Sequence, residues 1–225
     1  MKKLKKVLLT TSLSGALIAS AGLGTYSWFT SETNASGELK TGVLEINNGE
    51  DIGEALFEGE QFAPSQLEYG NWVSLSNTGD MDAHLKATYH HAVDKASLDK
   101  YAVGYMAMKY TVQPGQDVYE DSKIALDKLF NGTTNERAAL ANAPEGVELS
   151  AKVLSEEEVT SGEILLGEGS EDDFWELEEG QYIDIMVAVK LDESAGNEYQ
   201  GVTYEANLNV IAKQTDNGAT YGDEE

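Results

Sequence analysis

The sequence predicts a mainly β protein, a β-sandwich with a short helical insertion. The prediction rests first on residues 182–191 and 202–213, where apolar and polar residues alternate. Alternation with a period of two places the apolar side chains on one face of a strand, and sheets with one buried face are usually antiparallel. The second observation is that the spacing of apolar residues becomes helical within residues 120–142.

Six segments are predicted as strands, because each is a short apolar or alternating run bounded by turn residues. In the strongest of them, Ile183, Ile185 and Val187 share the buried face. Asp184 and Lys190 lie on the opposite face, which we expect to be exposed. In chain order the six segments are residues 43–46, 71–76, 84–93, 106–112, 182–191 and 202–213.

Two short helices are predicted within residues 120–142. Apolar residues recur at helical spacing from Ile124 to Phe130 and again from Ala138 to Leu140. Asn131 and Gly132 lie between the two runs and form a turn signal that ends the first helix.

Composition excludes several classes of function. The 225 residues include 15 Lys and Arg against 40 Asp and Glu, a formal net charge of −25, so phosphate backbones are repelled and nucleic acid is not an expected partner. The absence of cysteine removes disulfides, thiolate nucleophiles and Cys-ligated metals. No G-x-S-x-G, P-loop or dinucleotide glycine motif occurs. We therefore expect no enzyme activity and no cofactor.

The N-terminus has the layout of a secretory signal peptide. A basic start at Lys2, Lys3, Lys5 and Lys6 precedes an apolar stretch at residues 7–23 that ends in small residues. A retained transmembrane anchor is the competing interpretation, since about 20 apolar residues can span a bilayer. Small residues that suit cleavage occur at residues 19–21 and 25–27. We predict that residues 1–27 are removed and that the mature chain is secreted.

Neither the histidines nor the acidic residues form a metal motif. His84 and His90 share a face of one predicted strand, but six residues at about 3.3 Å each place them roughly 20 Å apart. We expect His91, on the other face, to be packed in the core and the other two to be exposed. Residues 163–179 are rich in acids but lack the calcium-loop pattern, so they are predicted to be a solvated loop.

The segment after the signal, residues 28–41, is predicted to be an extended lead-in to a sandwich at residues 42–213. Residues 214–225 are predicted to be an acidic, flexible tail. An exported sandwich has exposed strand edges that invite pairing with another strand. If residues 28–41 pair with the next subunit, the contact is head-to-tail and propagates into a filament. The alternative is that they form the first strand of their own subunit.

Five blocks of sequence, spread in order over nearly the whole chain, match the pattern of one protein family. They are residues 24–29 (GTYSWF), 36–39 (SGEL) with 42–46 (GVLEI), 73–79 (VSLSNTG), 177–180 (LEEG) and 197–201 (NEYQG). These blocks resemble the TasA/camelysin (CalY) family of secreted matrix proteins from Gram-positive spore-formers. One block differs, because the family's P-G-D turn is replaced here by Ala63-Pro64-Ser65-Gln66.

The resemblance implies a jelly-roll sandwich, export through a dedicated signal peptidase, and assembly with itself into biofilm-matrix fibres at the surface of a Gram-positive cell. Other matrix proteins or an assembly partner are further candidates for binding. It also implies that the N-terminal strand of one subunit completes the sheet of its neighbour. The implied cleavage region is Tyr26, Ser27, Trp28 and Phe29, and the implied donor residues are Trp28, Phe29, Thr30, Ser31, Thr33, Ala35, Gly37 and Leu39.

Two other functions stay open at this point. The family name camelysin carries a claim of zinc-dependent proteolysis, which would make the chain a secreted metalloprotease, although the sequence contains no zinc motif. The other alternative is a monomeric surface-binding or carbohydrate-binding module that uses exposed aromatic residues such as Trp72 or Trp175.

Overall fold

The computed structural model describes residues 30–32, 44–49, 56–57, 63–168 and 173–215. The predicted signal peptide and its cleavage region lie outside the described residues, as does most of the acidic tail. Of the predicted donor residues only Thr30 and Ser31 are described; Trp28, Phe29, Thr33, Ala35, Gly37 and Leu39 are not.

The described residues form ten strands and three α-helices. The strands are β1 (Thr30–Glu32), β2 (Leu67–Tyr69), β3 (Val73–Ser76), β4 (Ala83–Val93), β5 (Tyr101–Tyr110), β6 (Val147–Val153), β7 (Glu163–Glu168), β8 (Glu176–Leu177), β9 (Tyr182–Leu191) and β10 (Tyr204–Gln214). The helices are α1 (Gln116–Phe130), α2 (Glu136–Ala139) and α3 (Glu156–Thr160). None of these helices is long and apolar enough to cross a membrane.

The strands form two antiparallel sheets, which confirms the prediction of a mainly β protein. Sheet 1 has the spatial order β1, β10, β4, β7, and β8 also pairs with β4. Sheet 2 has the order β2, β9, β5, β6, and β3 also pairs with β9. Apolar side chains from both sheets, such as Leu85 of β4 and Ile185 of β9, form one buried cluster between them.

Most predicted elements are present, with shifted ends. The predicted strand at residues 106–112 is β5, which begins at Tyr101 and ends at Tyr110. The two predicted helices are α1 and α2, inserted between β5 and β6. The predicted strand at residues 43–46 is wrong in the part that the structure describes: Ile46 makes a single bridge to Asn77, and Leu44 and Glu45 are not in a strand.

The expectation that Asp184 is exposed is wrong, because α1 covers the outer face of sheet 2. Leu126 of α1 packs with Met106 and Met186 on that face. Asp184 is 5% exposed, and its Oδ2 accepts hydrogen bonds from the hydroxyls of Tyr110 at 2.9 Å and Tyr119 at 2.6 Å. Burial, reinforced by the bond to Asp184, raises the pKa of Tyr119. Sheet 2 is therefore buried on both faces over this region.

The prediction of a solvated acidic loop at residues 163–179 is also wrong for much of that segment. Its first six residues are β7, which pairs with β4. Phe174, Trp175 and Leu177 are buried in the core between the sheets. The acids of this segment therefore flank apolar residues that hold it against the sandwich.

Lys109 of β5 fixes the second half of the same segment. The residue is 8% exposed, and its Nζ donates hydrogen bonds to the carbonyl oxygens of Asp173 at 3.0 Å and Glu176 at 3.5 Å. Nζ also lies 3.1 Å from Oε2 of Glu148 and 5.7 Å from the centre of the Phe174 ring. One buried ammonium thus ties sheet 2 to the segment that leads into β8 of sheet 1.

Candidate functional site

Among the described residues, the outer edge of β10 is paired with another strand over only part of its length. On one side all eleven residues of β10 pair with β4, from Tyr204 opposite Val93 to Gln214 opposite Ala83. On the other side β1 pairs with three residues, Lys213, Ala212 and Ile211. Within the part of the chain that the structure describes, residues 204–210 have no strand partner on this side. Such an edge is a template for another strand.

The burial of β10 changes along its length in the same way. Tyr204, Ala206 and Leu208 face the core, as their alternation predicts, and pack against the main cluster while remaining only partly buried. Val210 and Ala212, beside the end that pairs with β1, are each 1% exposed. The core side of β10 is therefore less covered at Tyr204, Ala206 and Leu208 than at Val210 and Ala212, and an added strand there would bury more apolar surface.

Side chains tie the start of β10 to β4. The Tyr204 hydroxyl lies 2.8 Å from Nδ1 of His91 and 3.1 Å from the hydroxyl of Tyr89. His91 is 5% exposed, which confirms that it is a core histidine, and His90 is exposed as predicted. The expectation for His84 is wrong, because this side chain is only half exposed.

Burial of this cluster shifts its acid–base properties. It raises the pKa of Tyr89 and of Tyr204 well above their usual value. It lowers the pKa of His91, against a smaller opposing effect of the Val159 carbonyl. The cluster is therefore most stable with every member uncharged.

Acid is expected to weaken the folded state through His91. An unfolded histidine has a pKa of about 6.5, so below that pH the unfolded chain binds more protons than the folded one and the free energy of unfolding falls. Urea unfolding at pH 7.5 and pH 5.5 measures this loss. In His91→Gln the loss should shrink, whereas the matched control His90→Gln, one residue away and exposed, should keep it. Equal losses in the two variants would contradict the prediction.

The two tryptophans proposed as an exposed binding surface do not form one. Trp175 is 0% exposed. Trp72 is half-buried, and its ring meets the ring of Tyr119 edge-on at 5.3 Å, with Nε1 buried. The expectation that these two tryptophans are exposed is therefore wrong, because the sheets and α1 cover their side chains.

The described residues contain no group of three or more His, Asp or Glu side chains placed to hold a metal ion. The structure therefore gives the zinc interpretation no candidate ligand set within these residues. The chain was also compared with protein-family models, curated proteins and solved structures, and none of the three comparisons found a match. The resemblance to the TasA/camelysin family therefore stays a prediction.

The structure brings one sequence-predicted site element to the edge of β10. Thr30 and Ser31, predicted as donor residues, lie in β1 and pair with Lys213 and Ala212 of the same chain. For these two residues the structure therefore has the alternative arrangement, a first strand of their own subunit. No local sequence pattern marks residues 204–210 as the other half of this site. Their alternation was recognised, but which strand forms an open edge depends on the order of strands in the sheet, and a single sequence does not reveal that order.

Proposed function

We propose that the chain is a secreted structural subunit that polymerises into extracellular biofilm-matrix fibres. In this proposal the N-terminal strand of one subunit completes sheet 1 of the next. The observation that carries it is the outer edge of β10, which lacks a strand partner among the described residues over 204–210 and adjoins the N-terminal strand β1. Backbone hydrogen bonds would supply affinity, and alternate side chains would supply register. Secretion rests on the signal-peptide pattern, and the matrix role rests on the resemblance.

We further propose that the sandwich is a jelly roll. If β2 with β3 and β7 with β8 each count as one interrupted strand, the described strands number eight. The sheets then have the orders 1-8-3-6 and 2-7-4-5. Their pairs 1–8, 2–7, 3–6 and 4–5 are those of a long antiparallel hairpin rolled into two sheets, which supports this architecture. In this scheme strand 1, the edge strand of sheet 1, is β1.

Polymerisation is expected to require the segment before residue 41. A chain that begins at Trp28 should form filaments in negative-stain electron microscopy, whereas a chain that begins at Thr41 should sediment as a monomer. The second chain loses the strand that would be donated but keeps both sheets apart from β1, so its cooperative unfolding should persist. Urea unfolding of both chains provides this control.

Two results would contradict the proposal. Filaments from the chain that begins at Thr41 would show that the N-terminal segment is not the donor. A chain beginning at Trp28 that stays monomeric at high concentration and at every salt concentration would exclude autonomous polymerisation and favour a monomeric binding module.

A further inference from the structure

We infer that the strand added to β10 by a second copy continues the register of β1, so that residues 33–39 of one copy pair with residues 204–210 of another. The inference rests on the proposed function and deepens it, because it names the residues that meet. It starts from the observed pairs of β1, in which Thr30, Ser31 and Glu32 lie opposite Lys213, Ala212 and Ile211.

Continued in this register, the N-terminal segment matches the two faces of β10. Its small and apolar members fall on the core side and its polar members on the solvent side. A slip of one residue would reverse every side chain and turn Asn34 and Glu38 toward the core. The core-side pairs are Thr33–Val210, Ala35–Leu208, Gly37–Ala206 and Leu39–Tyr204, and the solvent-side pairs are Asn34–Asn209, Ser36–Asn207 and Glu38–Glu205.

The length of the chain favours a second copy as the source of this strand. Ile46 is held beside Asn77, whose side chain binds the Leu177 carbonyl at 3.0 Å. Leu177 pairs with Ala83 and Ala83 with Gln214, so Ile46 lies toward the Gln214 end of β10. Leu39 would lie at the opposite end, beside Tyr204, which is ten residues or roughly 33 Å along the strand from Gln214.

The seven residues from Leu39 to Ile46 span at most about 25 Å when fully extended. Within one subunit, this segment is therefore too short to place Leu39 opposite Tyr204 while Ile46 pairs with Asn77. A segment that comes from a neighbouring copy does not have to return to this Asn77. The full register is thus open to a second copy, whose residues 30–32 would replace the subunit's own β1 opposite residues 211–213.

The same register carries one cost. It places the carboxylates of Glu38 and Glu205 side by side on the solvent face, and like charges directly opposite each other destabilise a strand pair. Exposed charges are screened by salt. The inferred pairing is therefore stronger at higher ionic strength.

Cysteine cross-linking tests the register directly, because the natural chain contains no cysteine. The variant Ala35→Cys/Leu208→Cys places the two thiols directly opposite each other, where strands approach to about 4.5–5.5 Å between Cα atoms. The matched control Ala35→Cys/Ala206→Cys keeps the same face but shifts the partner by two residues. Diagonal neighbours at about 7–8 Å are too far apart for a disulfide.

Both variants, made in the chain beginning at Trp28, are assembled under reducing conditions, then oxidised and run on a non-reducing gel. The expected result is a ladder of covalent multimers from the in-register pair and monomers from the control. If Leu208→Cys prevents assembly, Thr33→Cys/Val210→Cys supplies a second in-register pair with the same expected ladder.

The failures of the inference and of the proposed function are distinguishable. Filaments of the unmodified chain, together with a ladder from the control pair alone, would overturn the register and leave strand donation standing. A disulfide that forms only within monomers would overturn the assignment of the strand to a second copy. If the unmodified chain forms no filaments, the proposed function fails and the inference fails with it.

Discussion

Replacing Trp175 by Ala is expected to lower the free energy of unfolding by about 3–5 kcal/mol, the usual cost of removing a large buried aromatic ring. The indole is 0% exposed. It contacts the ring of Phe174 at 5.5 Å and that of Tyr105 at 6.4 Å, so it joins the segment before β8 to sheet 2. Chemical unfolding followed by circular dichroism measures the loss without relying on tryptophan emission.

Gly167 provides the control for this prediction. A Cβ atom at this position would overlap the Trp175 ring, so Gly167→Ala should cost about 1–3 kcal/mol or more in the natural background. In the Trp175→Ala background the overlap is absent, and the same substitution should cost much less. A double-mutant cycle isolates this coupling. Equal costs of Gly167→Ala in both backgrounds would show that the two positions do not pack against each other.

The second large effect is expected at Lys109, where replacement by Ala should cost about 2–4 kcal/mol, since each buried polar group left unsatisfied costs about 1–3 kcal/mol. The substitution removes a buried charged donor and leaves the carbonyl oxygens of Asp173 and Glu176 without that hydrogen-bond partner. Lys109→Met, which keeps most of the apolar stem, should cost less. Urea unfolding at neutral pH gives both values.

Glu148 is the matched control for Lys109, because it is the partner on the other side of the same ion pair. Its side chain is 64% exposed against 9% for Lys109, so Glu148→Gln should cost under about 1 kcal/mol. The asymmetry arises because Lys109 keeps its two carbonyl partners when Glu148 changes. If Glu148→Gln were as costly as Lys109→Ala, the loss at Lys109 would come from the ion pair rather than from the carbonyl bonds.

Local periodicity was enough to predict the long strands and the two helices of the insertion. The alternation in β9 and β10 identifies their core-facing residues. The alternation in β4 likewise assigns His91 correctly to the core. It could not predict that Asp184 is buried. A polar residue on the outer face of a strand is compatible with solvent or with a covering helix, and only the packing of α1 distinguishes the two.

The prediction for the acidic segment at residues 163–179 is wrong for a different physical reason. Its many carboxylates suggest a solvated loop, yet Phe174 and Trp175 fill the core and Lys109, more than sixty residues away in sequence, binds its backbone. Such a long-range contact leaves no local signal. The candidate site could be predicted only in part, for a similar reason. Thr30 and Ser31 lie in a segment that the sequence predicts to be extended. The edge of β10 at residues 204–210 follows from the order of strands in the sheet, which local sequence does not reveal.

The position of the helical insertion has a practical consequence. β5 and β6 pair up to Tyr110 opposite Val147, so the chain leaves sheet 2 and returns to it at adjacent positions. Since the cost of closing a loop grows slowly with its length, added residues there would strain the sheet little. Asn131, Gly132 and Thr133, just after α1, are exposed. A fluorescent domain inserted after Gly132 would let single subunits be followed by light microscopy while β1 and β10 keep their natural sequence.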